Sequence, residues 1–482
     1  MTTLEDIVVG LREAGLLAAE PAASLPPITG LTADTRRLAP GMVYCAVRGT
    51  SEDGHRYLPA ALQAGAAAAL VERAAPLGLV QIEVRDGRRA AAKAAEIWYG
   101  RPSDRLDLVG VTGTNGKTTT VTLARHVLGA AEPMGSVGTL GAFDPGGEPV
   151  DSEAGNLTTP GPIELQATLA ALVARGARGV AMEVSSHSLD QGRVDGLVFR
   201  VAVFTNVTRD HLDYHHTLEQ YFRAKAKLAG YLAPDGLEVV NMDDPVWQKL
   251  RRGHRRIGYG ETGGEVTARE ISVGAGGARF ELVTPLGRAS VRLPLLGRFN
   301  VSNALAVAAT AWGMGVPVET IAERLTHAPQ IPGRMERIAT RPCVVLRDYA
   351  HTPDALARAL EALRPITTGR LVVVFGAGGD RDRGKRAPMG EIATRLADIA
   401  IVTSDNPRTE DPERILDDVE AGMGTSHHRE VDRRRAIALA LSLVREGDTL
   451  LLAGKGHETY QVLGTTKQPF DERAIIGELG AA

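Results

Sequence analysis

Val109-Gly-Val-Thr-Gly-Thr-Asn-Gly-Lys-Thr-Thr-Thr120 decides how this chain is to be read. An apolar strand, Leu106 to Val111, runs into a glycine-rich loop, and a helix is expected to open near Thr118. Backbone N–H groups of such a loop, together with a helix N-terminus, cradle phosphate oxygens. Gly113, Thr114, Asn115 and Gly116 make the loop, and Thr119 follows it on the helix. Lys117 is placed to reach terminal phosphates and the Thr118 hydroxyl to ligate Mg²⁺. The pattern falls short of a full Walker A, because Val111 stands where the leading glycine would be.

Outward from this loop, the chain is 482 residues long, enough for roughly three domains. At 44% hydrophobic and 23% charged residues it has the composition of a soluble globular protein. A net charge of -3 argues against nucleic acid as a partner. The start, Met1-Thr-Thr-Leu-Glu-Asp6, lacks the basic and apolar regions of a signal peptide, and no apolar run is long enough to span a bilayer. Cys45 and Cys343 offer neither a disulfide framework nor a metal-binding spacing. A cytoplasmic protein without membrane contact is expected.

Apolar runs that end in polar loops recur along the chain. Residues 1–103 form a small α/β segment, with extended chain at Ile28–Arg36, strands at Met42–Val47, Ala67–Val71 and Val80–Val84, and a helix from Leu58 to Gly65. Residues 104–332 alternate strands (106–111, 179–184, 200–205, 237–241) with amphipathic helices, the pattern of a mostly parallel sheet. An antiparallel excursion is expected over 255–296, then an Ala-rich helix from Asn300 to about Gly313. Residues 333–482, beyond the hinge Ile331-Pro-Gly333, carry strands at 343–348, 371–375, 398–403 and 448–453. Their following loops, Asp348–His351, Gly376–Arg381, Ser404–Arg408 and Gly454–Glu458, lie where open α/β sheets bind ligands.

Several residues could carry chemistry. Glu183, at a strand end near a phosphate loop, suits a Mg²⁺ ligand or a water-orienting group, and equally a hydrogen-bonded strand-end carboxylate. Asp210, His211, Asp213, His215 and His216 suggest zinc by composition, but their spacing fits no common zinc motif. Arg381, in the charged loop Gly378–Arg386, could fork onto a carboxylate. Only eight of the 55 basic residues are lysine, so some lysines are expected to stand where arginine would not serve. Lys117, Lys225, Lys385 and Lys455 fall in segments notable on other grounds. On sequence alone, Lys225 is a helix-surface lysine.

Taken in order, these pieces resemble the Mur ligase family, and most closely the type that adds the third residue of the peptidoglycan stem peptide. The resemblance rests on Asp34-Thr-Arg36, Gly49–His55, Thr158-Thr-Pro160, Glu183-Val-Ser-Ser-His187 and Thr205-Asn-Val-Thr-Arg-Asp-His211. It continues through Phe299-Asn-Val-Ser-Asn303, Pro332-Gly-Arg-Met-Glu336, Asp348-Tyr-Ala-His-Thr-Pro353, Asp405-Asn-Pro-Arg408 and Gly454-Lys-Gly-His-Glu458. It implies an α/β chain of three domains: a small N-terminal one (1–103) for the uridine end of the substrate, a central P-loop-like ATPase (104–332), and a Rossmann-like C-terminal domain (333–482) for the amino acid. Closure about the hinges near 104 and 332 would exclude water.

Further roles are carried by the resemblance alone. Ala33, Thr35, Thr50, Ser51 and Glu52 would contact the uridine end of a UDP-MurNAc-dipeptide, and Thr158, Thr159, Ser185, Gln191 and Arg193 its sugar–peptide portion. Thr118, Glu183, His211 and Lys225, the last as a carbamate, would position Mg²⁺. Asn303, Arg334, Asp348 and His351 would serve ATP beside the loop. Asp405, Asn406, Pro407 and Arg408 resemble the signature of enzymes that select meso-diaminopimelate, with Arg381, Gly454 and Glu458 completing the pocket. The implied enzyme is an ATP-dependent amide-forming ligase, working as a monomer on small molecules. Other readings are a lysine-adding or folylpolyglutamate-synthetase-like ligase, a P-loop nucleotide switch, and a metal-dependent hydrolase built on the histidines.

Overall fold

The stretch Leu108–Val111 is buried completely because its strand lies in the middle of a sheet covered on both faces. The computed structural model describes residues 2–21, 24–49, 52–151 and 157–481. Thr50 and Ser51, two of the expected sugar-nucleotide contacts, lie outside the described residues.

The first sheet holds β1 (Gly30–Thr32), β2 (Met42–Cys45), β3 (Ala68–Val71) and β4 (Val80–Glu83), parallel and in sequence order. The strand expected within Ile28–Arg36 is shorter than that, since Asp34 caps a 3₁₀ turn at Thr35–Arg37. Two helices that went unread, Leu4–Glu13 and Gly87–Trp98, pack on this sheet, the second through an alanine face. Cys45 is buried among them and Cys343 in a separate core, both as free thiols.

The second sheet contains β5 (Asp107–Thr112), β6 (Met134–Gly138), β7 (Gly141–Phe143), β8 (Pro149–Val150), β9 (Gly179–Glu183), β10 (Phe199–Phe204), β11 (Leu232–Asn241), β12 (Arg255–Gly260), β13 (Val266–Gly274), β14 (Gly277–Thr284) and β15 (Gly287–Leu293). Their order is β15-β14-β13-β12-β11-β10-β5-β9-β6-β7-β8. The expected antiparallel excursion is narrower than 255–296: β12 pairs parallel to β11 and β13 parallel to β12, so only β13–β15 form the antiparallel meander. β12, Arg255-Arg-Ile-Gly-Tyr-Gly260, is too poor in apolar residues to announce a parallel strand. The phosphate-loop helix, Lys117–Leu128, opens one residue earlier than expected and packs against the helix Phe299–Gly313. That second helix is apolar around nearly its whole circumference, as befits a helix inside a core.

The third sheet comprises β16 (Glu336–Ala339), β17 (Val344–Asp348), β18 (Leu371–Phe375), β19 (Ile399–Val402), β20 (His428–Arg429) and β21 (Thr449–Ala453), in the order β16-β17-β21-β18-β19-β20. β17, β21, β18 and β19 are adjacent and parallel. Their four carboxyl-end loops therefore emerge along one rim. A hairpin of β22 (Tyr460–Leu463) and β23 (Thr466–Pro469) borders it. No helix among the described residues is long and apolar enough to cross a membrane.

Candidate active site

The loop after β5 is held in shape from β10's carboxyl end. Thr114 N–H donates to Asn206 O (2.7 Å), Asn115 N–H to Asn206 Oδ1 (3.0 Å), and Thr205 Oγ1 to Asn115 O (2.8 Å). Gly113 (φ +153°) lies so close to Thr205 Oγ1 that a Cβ would collide with it. Gly116 (φ +86°), leading into the helix, meets Asn303 Oδ1 in the same way. Asn303 thus stands against the loop, steadied by Nδ2 donation to Asn300 Oδ1 (2.9 Å). The clamp formed by Thr205 and Asn206 was not given a role from sequence; its signal was a polar pair at a strand end beside the loop strand.

Two lysines share the loop's carbonyls. Lys117 Nζ donates to Gly113 O and Thr114 O, each at 2.8 Å, and Lys225 Nζ donates to Gly113 O at 2.7 Å. Lys225 is buried, 4.3 Å from the centre of the Tyr221 ring. The surface role that sequence alone gives it does not hold: Tyr221, Phe222, Ala224 and Lys225 make the buried face of the helix Leu218–Ala226. Burial, reinforced by the Lys117 charge, pushes its pKa well below that of an ordinary lysine. Burial also lowers that of Lys117, with Glu183 and Asp210 acting against it.

Glu183 is buried and accepts from Thr139 N–H (2.8 Å) and Thr139 Oγ1 (3.1 Å). Thr158 Oγ1 lies 3.2 Å from Thr139 Oγ1, and Thr159 Oγ1 donates to Glu183 O (2.8 Å) and accepts from Ser185 N–H (3.1 Å). Ser185 caps the next helix through Ser188 N–H. Arg193 donates to Gln191 Oε1 (2.6 Å from Nη2) and to Thr159 O (3.1 Å). Thr158, Thr159, Ser185, Gln191 and Arg193 therefore form one bonded group.

Ala33 and Thr35 sit past β1 on the first sheet, and Glu52 bonds the Tyr57 hydroxyl. Arg88 spans from Arg48 O (2.8 Å) to Gln191 O (3.5 Å), linking that segment to the bonded group.

His211, with φ +52°, stacks edge-on with His187 at 4.7 Å. Partial burial lowers its pKa to about 4 against the pull of Asp210, with 44% of the side chain still exposed. No set of three or more His, Cys, Asp or Glu side chains among the described residues is arranged to hold a metal, which removes the histidine-based zinc site. Three of the expected metal ligands hold protein partners: Glu183 accepts from Thr139, Thr118 Oγ1 from Arg334 Nη2, and Lys225 donates to Gly113 O.

Residues beyond 332 reach the loop directly. Arg334 Nη2 donates to Thr118 Oγ1 (3.0 Å) while its guanidinium lies 4.6 Å from the Tyr349 ring centre. Asn115 Nδ2 donates to Asp354 Oδ2 (3.0 Å), a contact that sequence did not suggest. Asp348, its pKa raised by burial against the Arg334 charge, accepts from Met335 N–H (2.7 Å). His351 donates from Nδ1 to Tyr349 O (2.8 Å), leaving Nε2 its lone pair, and burial lowers its pKa. Lys385 Nζ donates to His351 O (2.9 Å).

On the rim, Arg408 (φ +54°) donates from Nη1 to Gly379 O (2.7 Å). Arg381 bonds its neighbour's carbonyl, Asp380 O (3.1 Å). Among the described residues neither arginine forms an ion pair with a carboxylate, although burial and Arg381 both act against the Arg408 charge. Asp405 and Asn406 are buried; Asn406 Nδ2 donates to Glu458 Oε2 (2.9 Å), and Gly454 borders the Asp405 carboxylate. Pro407 joins this pair to Arg408, and Gly379 N–H donates to Asn406 O (2.9 Å), locking the two loops together.

Comparison with known proteins covers the same three segments. Residues 27–107 match the Mur ligase family catalytic domain, 111–311 the Mur ligase middle domain, and 333–456 the glutamate ligase domain of Mur ligases. The chain is 45% identical to a UDP-N-acetylmuramoyl-L-alanyl-D-glutamate–2,6-diaminopimelate ligase of Gloeobacter violaceus, covering 92% of each chain. It is 43% identical to the protein of that name in Geobacter metallireducens, covering 98% of this chain and 97% of that one. A solved structure of a ligase of that name superposes with a TM-score of 0.66 at 32% identity, covering 99% and 98%. The MurF ligase of Thermotoga maritima, solved with ADP, shares the fold at 21% identity and a TM-score of 0.67, covering 89% and 94%.

Proposed function

This chain belongs to the Mur ligase family, and we propose on that footing that it joins meso-2,6-diaminopimelate to the D-glutamate of UDP-MurNAc-L-Ala-D-Glu at the expense of ATP. The observation that carries the amino-acid choice is the pair Arg381, exposed on the rim, and Arg408, half-buried, neither of which forms an ion pair with a carboxylate among the described residues. A guanidinium fork suits a carboxylate, and diaminopimelate has a distal carboxylate that lysine lacks. The lysine-adding and folate readings fit that pair less well.

The γ-carboxylate of the dipeptide attacks the γ-phosphorus of ATP, ADP leaves, and an acyl phosphate forms. The amine of diaminopimelate then attacks the acyl carbon, phosphate leaves, and the nitrogen loses a proton. The chain's work is positioning and charge stabilisation. Gly113–Gly116 and Thr119 hold the phosphates by backbone and helix end; Lys117 turns from its loop carbonyls to the γ-phosphate. Asn303, Arg334, Asp348 and His351 hold the nucleotide. Thr158, Thr159, Ser185, Gln191 and Arg193 hold the sugar–peptide, with Ala33, Thr35, Thr50, Ser51 and Glu52 at the uridine end. Asp405, Asn406, Pro407, Gly454 and Glu458 shape the amino-acid pocket.

Thr118, Glu183, His211 and Lys225 would hold Mg²⁺, which when bound offsets the phosphate charge. A buried ammonium with one carbonyl acceptor is costly. A neutral Lys225 amine can instead add to CO₂, forming an N–C bond and releasing a proton, and so become an anionic oxygen ligand. Residues 1–103, 104–332 and 333–482 act as three domains of a cytoplasmic monomer that close about the hinges near 104 and 332.

Dipeptide carrying ¹⁸O in the γ-carboxylate tests the chemistry. One labelled oxygen should appear in the released phosphate and the tripeptide mass should appear with it. Unlabelled phosphate would refute the acyl-phosphate route.

A further inference from the structure

The reaction above gives Lys455 no task, yet its side chain is completely buried. It lies in the loop after β21, where its ammonium donates to Asn406 Oδ1 (3.0 Å), Asp405 Oδ1 (3.4 Å) and Glu458 Oε2 (3.4 Å). Asn406 closes the ring by donating to the same Glu458 oxygen (2.9 Å). An arginine would bring a wider head group to a position where the Lys455 side chain has no exposed surface.

These acceptors matter because of what stands beside them. Asp405 and Glu458, together with Asp380, are also carboxylates whose charges act on Arg408. Without a cation between them, buried Asp405 and half-buried Glu458 would be two anions in need of partners, and Arg408 and Arg381, neither in an ion pair among the described residues, stand together beside Gly378. A pocket whose arginines are neutralised from within cannot read a ligand carboxylate.

We propose that Lys455 is a positioning residue for amino-acid selection: its ammonium ties Asp405, Asn406 and Glu458 together and so keeps Arg381 and Arg408 available to the distal carboxylate of the incoming amino acid. This rests on the pocket assigned above. Lysine in a chain that writes arginine almost everywhere agrees with it.

The test is steady-state kinetics of Lys455→Met, a neutral residue of similar length, with meso-diaminopimelate and with L-lysine. Wild-type enzyme is measured first, since failure to use diaminopimelate would overturn the pocket itself. Given wild-type use, the variant should raise the diaminopimelate KM about 30-fold or more while the ATP and sugar-nucleotide KM values change less than about twofold. The preference for diaminopimelate over lysine in kcat/KM should fall about tenfold or more. Lys455→Gln, which can still donate to Asn406 Oδ1 without charge, should lose preference in the same way. An unchanged preference, or equal loss with both amino acids, would overturn the proposal while leaving the pocket standing. Failure of both variants to fold would make Lys455 a fold element and overturn it too.

Discussion

Replacing Arg408 by lysine isolates the fork from the charge. The backbone at 408 has φ +54°, fixed by Arg408 N–H donation to Val462 O (3.1 Å) and by Gly464 N–H donation to Arg408 O (2.8 Å). Lysine adopts that conformation at much the same cost as arginine, so the loop should persist. The side chain donates to Gly379 O at 2.7 Å through Nη1 alone, which leaves its other nitrogens for a ligand. A lysine there keeps the positive charge and loses the second, parallel hydrogen bond to a carboxylate. One hydrogen bond to a charged group contributes about 1.5–3 kcal/mol. At about 1.4 kcal/mol per tenfold, kcat/KM for diaminopimelate should fall roughly 10- to 150-fold. Initial rates of ADP formation against diaminopimelate concentration, with ATP and UDP-MurNAc-dipeptide saturating, measure this. The KM for ATP should not move, because Arg408 bonds nothing in the phosphate loop. An unchanged kcat/KM for diaminopimelate, or a parallel rise in the ATP KM, would refute the assignment.

Lys117→Ala should lower ligation by roughly 10³-fold or more with the fold retained, as removal of a charge-stabilising group does; near-normal turnover would contradict its phosphate role. Lys225→Ala should lose activity and recover part of it with short carboxylic acids, and full activity without them would show that no carbamate forms. Gly116→Ala should destabilise the chain by about 1–2 kcal/mol from the left-handed φ alone and also raise the ATP KM by displacing Asn303, read by urea unfolding and kinetics. Glu410, held at a pKa of about 2 against the usual 4.5 chiefly by Arg386, binds its proton more readily in the unfolded chain. Its contribution is therefore present above pH 4.5 and lost as pH falls toward 2, so Glu410→Gln should flatten the acid limb of stability; an unaltered limb would sink that assignment.

The loop 113–118 and the four rim loops were legible because each joins a short apolar run to residues with few other uses. Lys225 was not, because a helix shows its buried face only through its neighbours, and Tyr221 and Phe222 alone do not say what lies opposite. The link from Asn115 to Asp354 joins residues far apart in the chain, and nothing local marks the two as partners. β12 hid for a physical reason: it carries few apolar side chains, and what joins it to β11 is a parallel ladder and the Arg256–Glu238 ion pair, which local sequence does not show. The alanine-faced helix Gly87–Trp98 has too little hydrophobic contrast to stand out. Lys455 was visible as an unusual residue, but its acceptors come from another loop.

Phosphate release from ATP in the presence of UDP-MurNAc-L-Ala-D-Glu, measured with meso-diaminopimelate, with L-lysine and with no amino acid, addresses the ligase assignment and the pocket together. Release that depends on diaminopimelate is the expected result. Release with lysine instead would keep the ligase and contradict the role given to Arg381 and Arg408, and no stimulation by either would contradict the function proposed for the chain.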